Sequence, residues 1–322
     1  MKRLRVVFCG TPQFAVPSLK TLLNEPDFEV LAVFTQPDRP RGRGQDVSFS
    51  PVKALAVEKG VPIHQPEKIR APEVEQQLRA CAPDVIVIIA YGQIIPARLL
   101  PIPRMGWINL HASLLPKYRG AAPIHWAIAS GESITGNTTM RIDAGMDTGE
   151  MLLQQELAVG ADETATELSE RLSQAGAPLL LETLRGLQSG SVIPRRQDDS
   201  QASFAPMLKR EDGRIDWARP AAEIYNRMRG FTPWPGAYTR FRGQTCHIWG
   251  RPWQEPASQL AGERADLRPG ALVHRGGNWL VACGTATLMV LTHVKMEGRK
   301  QISAIEFANG ARLQTGEQFE NN

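Results

Sequence analysis

Apolar residues change rhythm about two-thirds of the way along the chain. Up to residue 187, short apolar runs of strand length alternate with longer segments patterned for helices. Leu4–Cys9 (LRVVFC) reads as a buried strand, Phe14–Leu23 as a helix with Pro17 in its first turn, and Glu29–Thr35 as a second strand. A helix over Val52–Glu58, a strand over Val61–His64 and a helix over Pro72–Cys81 continue the alternation. Asp84–Ala90 (DVIVIIA) is apolar almost throughout, as a central parallel strand buried on both faces is. Ala121–Ser130 reads as a helix, Ser133–Asp143 and Met151–Val159 as strands, and Glu163–Leu187 as the longest amphipathic helix.

The sequence then turns polar through Pro206, in the manner of a linker. One helix, Ala221–Arg229, precedes short alternating runs at 237–241, 245–249, 271–273, 279–282 and 288–294, punctuated by glycine and proline. The pattern predicts an α/β protein: a Rossmann-like N-terminal domain over 1–188, a linker over 189–206 and a small OB-like β-barrel over 207–322. Most tryptophans of the last segment are expected in the barrel core. The first strand ends in Gly10-Thr11-Pro12-Gln13-Phe14-Ala15 and not in G-x-G-x-x-G, which argues against a nicotinamide enzyme.

No apolar run approaches the ~20 residues of a membrane helix. Lys2, Arg3 and Arg5 lead straight into a strand, so no signal peptide is expected and the compartment reads as cytoplasmic. Cys9, Cys81, Cys246 and Cys283 are scattered, as reduced thiols are, and suggest no metal site. Charge changes the picture more. Residues 1–206 hold 21 Lys and Arg against 22 Asp and Glu, a net −1, whereas 207–322 hold 16 against 11, a net +5. A polyanion-binding module in the C-terminal third has this balance.

Candidate chemistry centres on Met105–Gly120 (MGWINLHASLLPKYRG). Strand alternation places Ile108 and Leu110 on one face and Asn109, His111 and Ser113 on the other, with Pro116 and Gly120 ending the strand. Asn109 offers amide donors and His111 an imidazole that exchanges protons near neutrality. A carboxylate beside them completes a set suited to acyl transfer through an oxyanion, and either Asp143 or Asp147 in the following glycine-containing loop can supply it. No G-x-S-x-G elbow is present, which favours direct attack by an amine over a covalent acyl-enzyme. His125 beside Trp126 reads as a packed histidine. Gln36–Pro51 is a long loop carrying Arg39, Arg41 and Arg43, a spacing suited to phosphates.

Asn109, His111 and the run Ser113–Gly120 resemble the central motif of the 10-formyltetrahydrofolate-dependent formyltransferases, and Asp147 within Met146–Gly149 resembles their catalytic aspartate. Gly10–Ala15, Gln36–Pro40 with Gly42–Gly44, and Arg229–Ala237 extend the resemblance toward the members that act on initiator methionyl-tRNA. The resemblance implies Asn109, His111 and Asp147 as catalytic residues, with no metal. It implies folate contacts at Ser113, Leu114, Leu115 and Pro116 and at Ile89, Ala90, Tyr91 and Gly92, with the pterin also near Ala144 to Asp147. Arg39, Arg41 and above all Arg43 would approach the tRNA acceptor end, the basic barrel would add contacts, and the protein would be a monomer. The rivals are formyl transfer to an amino-sugar nucleotide or ribonucleotide amine, hydrolysis of the formyl donor, and a tRNA-binding module without catalysis.

Overall fold

Every residue of Val85–Ile89 is buried, and strand periodicity divides them between two cores. Val85, Val87 and Ile89 join Leu4, Val6, Phe8, Leu19, Leu22, Leu180 and Leu184 on one side. Ile86 and Ile88 join Val74, Leu78 and Leu99 on the other. Each such side chain contributes about 1.5–3 kcal/mol relative to exposure. The computed structural model describes residues 3–41, 46–254 and 267–320. Two compact units result.

The elements of the N-terminal part are β1 (Leu4–Gly10), α1 (Val16–Asn24), β2 (Phe28–Phe34), β3 (Pro40–Arg41), β4 (Asp46–Val47), α2 (Pro51–Glu58) and β5 (Ile63–His64). There follow α3 (Pro72–Cys81), β6 (Val85–Ile89), β7 (Trp107–His111), α4 (Pro123–Ala129), β8 (Ile134–Arg141), β9 (Met151–Ala158) and α5 (Ala165–Ser189). The main sheet has the order β5-β2-β1-β6-β7-β8-β9. Its first five strands are parallel and its last two pairings antiparallel. After β1 the chain builds outward through β2 and β5, then returns to β6 on the other flank of β1. Ligands bind beyond the carboxyl ends of strands at such a reversal, and here those ends are Gly10, Ile89 and, next door, His111.

The second unit holds α6 (Ala221–Gly230), β10 (Tyr238–Phe241), β11 (Gln244–Pro252), β12 (Leu272–Arg275), β13 (Asn278–Cys283), β14 (Thr287–Met296), β15 (Ile302–Ser303) and α7 (Ala304–Ala311). The antiparallel order β10-β11-β14-β13-β12 is closed by the C-terminal segment, where Gln318 pairs with Ala271 and Glu320 with Arg240. The barrel expectation therefore holds. Trp217 stacks on Phe319 at 5.6 Å in its core, but Trp234 is exposed and Trp249, Trp253 and Trp279 are only half-buried. Helix α7 is not expected from the hydrophobic pattern, nor are the two-residue strands β3, β4 and β15. The signal for α7 was the Ser303-Ala-Ile-Glu306 capping box, in which the Glu306 N–H donates to Ser303 Oγ and the Ser303 N–H to Glu306 Oε2.

The units cross the domain limits expected from composition. Unit 1 comprises Met1–Pro123, Ile134–Ala158 and Glu167–Pro206; unit 2 comprises Ile124–Ser133, Val159–Thr166 and Met207–Asn322. Within unit 2, Trp126 packs edge-on against Phe231 at 5.3 Å, and the Arg229 guanidinium donates to the carbonyls of Gly160 and Glu163. The 189–206 stretch is no free linker. Arg195 and Met151 exchange backbone hydrogen bonds of 2.8 Å, and Phe204 bridges Arg119 in parallel fashion. The polar composition of this stretch hid the fact that its backbone groups find partners in unit 1.

Candidate active site

Strand β7 sends Ile108 and Leu110 into the core beneath α5, while Trp107 joins the opposite core. Alternation then puts Asn109 and His111 on the side of Trp107. Asn109 is half-buried, and its carboxamide bonds to none of the described residues. His111 is 6% exposed. The strand ends at His111, so Ser113 lies beyond it; its hydroxyl is fully buried and donates to the Lys117 carbonyl at 2.7 Å. Thr138 on β8 fixes this turn. Its hydroxyl donates to the Ser113 carbonyl (2.7 Å) and accepts from the Leu115 N–H (3.1 Å) and Gln154 Nε2 (3.0 Å), which uses the whole bonding capacity of a hydroxyl. Gln154 also donates to the Leu115 carbonyl at 2.9 Å.

The two ring nitrogens of His111 meet different partners. Nε2 lies 2.9 Å from the Tyr118 carbonyl oxygen, which can only accept, so Nε2 carries a proton. Nδ1 faces Asp147 Oδ2 at 3.8 Å. That same Oδ2 accepts from the Gly120 N–H at 2.9 Å. Gly120 has φ +123°, and a Cβ there would sit 2.7 Å from the Ala205 carbonyl oxygen, so only glycine brings this N–H to the carboxylate. Asp147 itself has φ +53° and Tyr118 φ +60°, left-handed conformations that non-glycine residues keep only where surroundings impose them. Asp143 serves the loop: its Oδ1 accepts from the Gly145 N–H and the Thr148 hydroxyl. Geometry thus selects Asp147 over Asp143 as the partner of His111.

Beside β7, the end of β6 turns through Ala90 (φ +47°) and Gly92 (φ +84°). Ile89 and the Tyr91 ring are buried, whereas Ala90 and Gly92 are exposed, so the rim here is backbone. Burial pushes the Tyr91 phenol up, keeping it neutral. The Tyr91 carbonyl accepts from Gln36 Nε2 at 3.0 Å, at the base of the arginine-bearing loop. Asp38 in that base accepts from Lys53 and Gln65, and its hydrogen bond to Lys53 holds its carboxyl below the usual range. Arg39 is exposed and Arg41 lies in β3; Arg43 falls outside the described residues. Leu115 is buried and Leu114 and Pro116 half-buried at the turn. His125 is half-buried in α4, as expected of a packed histidine, and burial lowers its pKa. Among the described residues no group of three or more His, Cys, Asp or Glu is arranged to hold a metal. Thr138, Gln154 and the partners of Asp147 and Arg119 were not singled out from sequence, because threonines and glutamines in amphipathic strands carry no spacing signal.

The likeness of the whole chain to known proteins follows this geometry. Residues 2–184 match the family described as "Formyl transferase", and residues 207–312 match "Formyl transferase, C-terminal domain". A relative from Solibacter usitatus described as "Methionyl-tRNA formyltransferase" is 53% identical over 317 residues, 98% of each chain. One of the same description from Acidobacterium capsulatum is 51% identical, covering 96% of this chain and 97% of its own. The chain belongs to the methionyl-tRNA formyltransferase family. In fold it is also similar to more distant solved structures. A sugar 3N-formyl transferase, WlaRD, covers 93% of this chain and all of its own with a TM-score of 0.64 at 16% identity. HypX from Aquifex aeolicus covers 98% of this chain with 49% of its own, with a TM-score of 0.58 at 15% identity. No helix among the described residues is long and apolar enough to cross a membrane.

Proposed function

We propose that this enzyme transfers the formyl group of 10-formyltetrahydrofolate to the α-amine of methionyl initiator tRNA, giving the formylmethionyl-tRNA used to start translation. One observation carries the chemistry: Asn109 and His111 leave a single strand end side by side, with Asp147 Oδ2 3.8 Å from His111 Nδ1. The substrate amine attacks the formyl carbon, a C–N bond forms, and charge gathers on the formyl oxygen. Asn109 donates an N–H to that oxygen. With Nε2 committed to Tyr118, His111 works through Nδ1, stabilising the oxyanion when protonated and handling the proton the amine must lose. Asp147 orients this edge of the ring. The bond from carbon to the donor nitrogen then breaks as that nitrogen takes up the proton the amine gave, and tetrahydrofolate departs.

The folate donor is assigned to the rim formed by Ile89 to Gly92 and the turn Ser113 to Pro116. Half-buried Leu114 and Pro116 beside exposed backbone at Ala90 and Gly92 suit a flat heterocycle with polar edges. Ser113 contributes through the shape of the turn, since its hydroxyl is taken up by Lys117. Catalysis falls to residues 1–188. The grip on tRNA falls to Arg39, Arg41 and Arg43 and to residues 207–322, whose net +5 suits a polyanion. The enzyme acts as a cytoplasmic monomer. A formylation assay comparing charged initiator tRNA with small amines tests the reading: formylation of the tRNA is expected, and turnover of a small amine without tRNA would overturn it.

A further inference from the structure

The stretch after α5 reaches back to the turns around His111 and Asp147, and one of its side chains touches both. Gln197 Nε2 donates to the carbonyl of Asp147 and to that of Gly149, each at 2.8 Å. Gln197 Oε1 accepts from Arg119 Nε at 2.9 Å. Both amide hydrogens and the carbonyl oxygen are thus engaged. Arg119 is only 4% exposed; its terminal nitrogen pairs with Asp199 at 2.7 Å, and its backbone N–H donates to Ser203 at 2.8 Å. Ser203 Oγ in turn accepts from the Tyr118 N–H at 2.9 Å. Tyr118 holds the His111 ring and Gly120 holds the Asp147 carboxylate. A single carboxamide therefore spans the turn that fixes the imidazole and the turn that carries the carboxylate.

We propose that Gln197 is a positioning residue for formyl transfer: it locks the Asp147 turn against Arg119, so that the carboxylate meets His111 Nδ1. This rests on the catalytic reading of Asn109, His111 and Asp147 given above. The left-handed backbone of Asp147 needs such support, because a non-glycine residue at φ +53° relaxes when its restraints are removed. Chemistry also explains why glutamine stands here. A glutamate would keep the acceptor for Arg119 and make it an ion pair, but would press carboxylate oxygen against two carbonyl oxygens. An asparagine lacks the reach to span both turns.

The test uses the full chain bearing Gln197→Glu, Asp147→Asn or both, in steady-state formylation of charged initiator tRNA, with melting followed by circular dichroism. Q197E is expected to stay folded and to lose about ten- to a hundred-fold in kcat, the scale of a catalytic group displaced by about an ångström. KM for both substrates should stay within about two-fold, because the loss falls on the transition state. In the D147N background, Q197E should cost nothing further, since its effect passes through Asp147. Unchanged kcat in Q197E, or an equal loss in both backgrounds, overturns the proposal while leaving the catalytic set standing. Full turnover by D147N instead refutes the catalytic reading, and this inference with it. If Q197E fails to fold, the uncharged Gln197→Met takes its place with the same outcomes; failure of both to fold assigns Gln197 a structural role and overturns the proposal.

Discussion

Strands β6 and β8 flank β7, the strand of Asn109 and His111, in one sheet, and both are buried, but with opposite chemistry. In β6 the sequence VIVII fills two cores and leaves only backbone at its end. In β8, Thr135, Asn137, Thr138 and Thr139 are at most 3% exposed, and the last three direct polar atoms at neighbours. Asn137 Nδ2 donates to the Leu172 carbonyl, Thr139 shares a bond with Thr183 in α5, and Thr138 grips the turn after β7. Burial of a hydroxyl is costly unless it is bonded, so such a strand stores its information in directed contacts. One flank supplies bulk stability, and the other sets the turn that follows His111.

The sharpest break of this contrast lies on β7 itself. Asn109→Ala or His111→Ala should each lower kcat by roughly 10²–10³-fold or more, the scale of a lost oxyanion donor, while tRNA binding measured by filter retention stays near wild type. Binding that falls in step with kcat would show that these residues hold substrate and do no chemistry. On the apolar flank, Ile86→Ala removes a fully buried side chain and should cost about 2–5 kcal/mol in urea unfolding with little change in kcat of the folded enzyme. On the polar flank, Thr138→Val keeps the shape but strands the Leu115 N–H and the Ser113 carbonyl. It should cost about 1–3 kcal/mol and, unlike I86A, reduce kcat as well. A T138V enzyme with wild-type kcat would erase the distinction between the flanks.

The smallest effect concerns acid. No side chain within Val85–Ile89 or Thr135–Met140 titrates, so the pH response comes from elsewhere. Burial lowers the pKa of His64, His125 and His247 below the ordinary 6.5. Below that pH the unfolded chain binds more protons than the folded one, so stability is fully present at neutral pH and declines as pH falls through the window beneath 6.5. The melting temperature should therefore drop from pH 7 to 5.5, with a shallower drop in His125→Gln. A flat profile would sink this account.

Much of this architecture was readable in advance because burial imposes periodicity. The apolar runs at Leu4–Gly10 and Val85–Ile89 could only be central strands, and α3 begins and ends where its pattern does. Asn109 and His111 were legible for the same reason, since the alternating Ile108 and Leu110 dictate which face they take. Ser113 was misread as a continuation of that face, because the pattern did not show the strand stopping at His111. The 189–206 stretch read as a linker because polarity alone does not distinguish solvated backbone from backbone paired to Met151 and Arg119.

The sequence by itself determined the two large sheets, the strand that bears Asn109 and His111, and the charge of the C-terminal third. These follow from local pattern and composition, which neighbours along the chain suffice to express. Only the tertiary structure showed that Asp147 Oδ2 lies 3.8 Å from His111 Nδ1, that Tyr118 takes up the other ring nitrogen, and that Thr138 and Gln197 bond to the turns around them. These are contacts between residues 7 to 78 positions apart, and they carry no repeat or spacing to announce them. Their partners are chosen by direction and distance, which exist only once the sheet has folded.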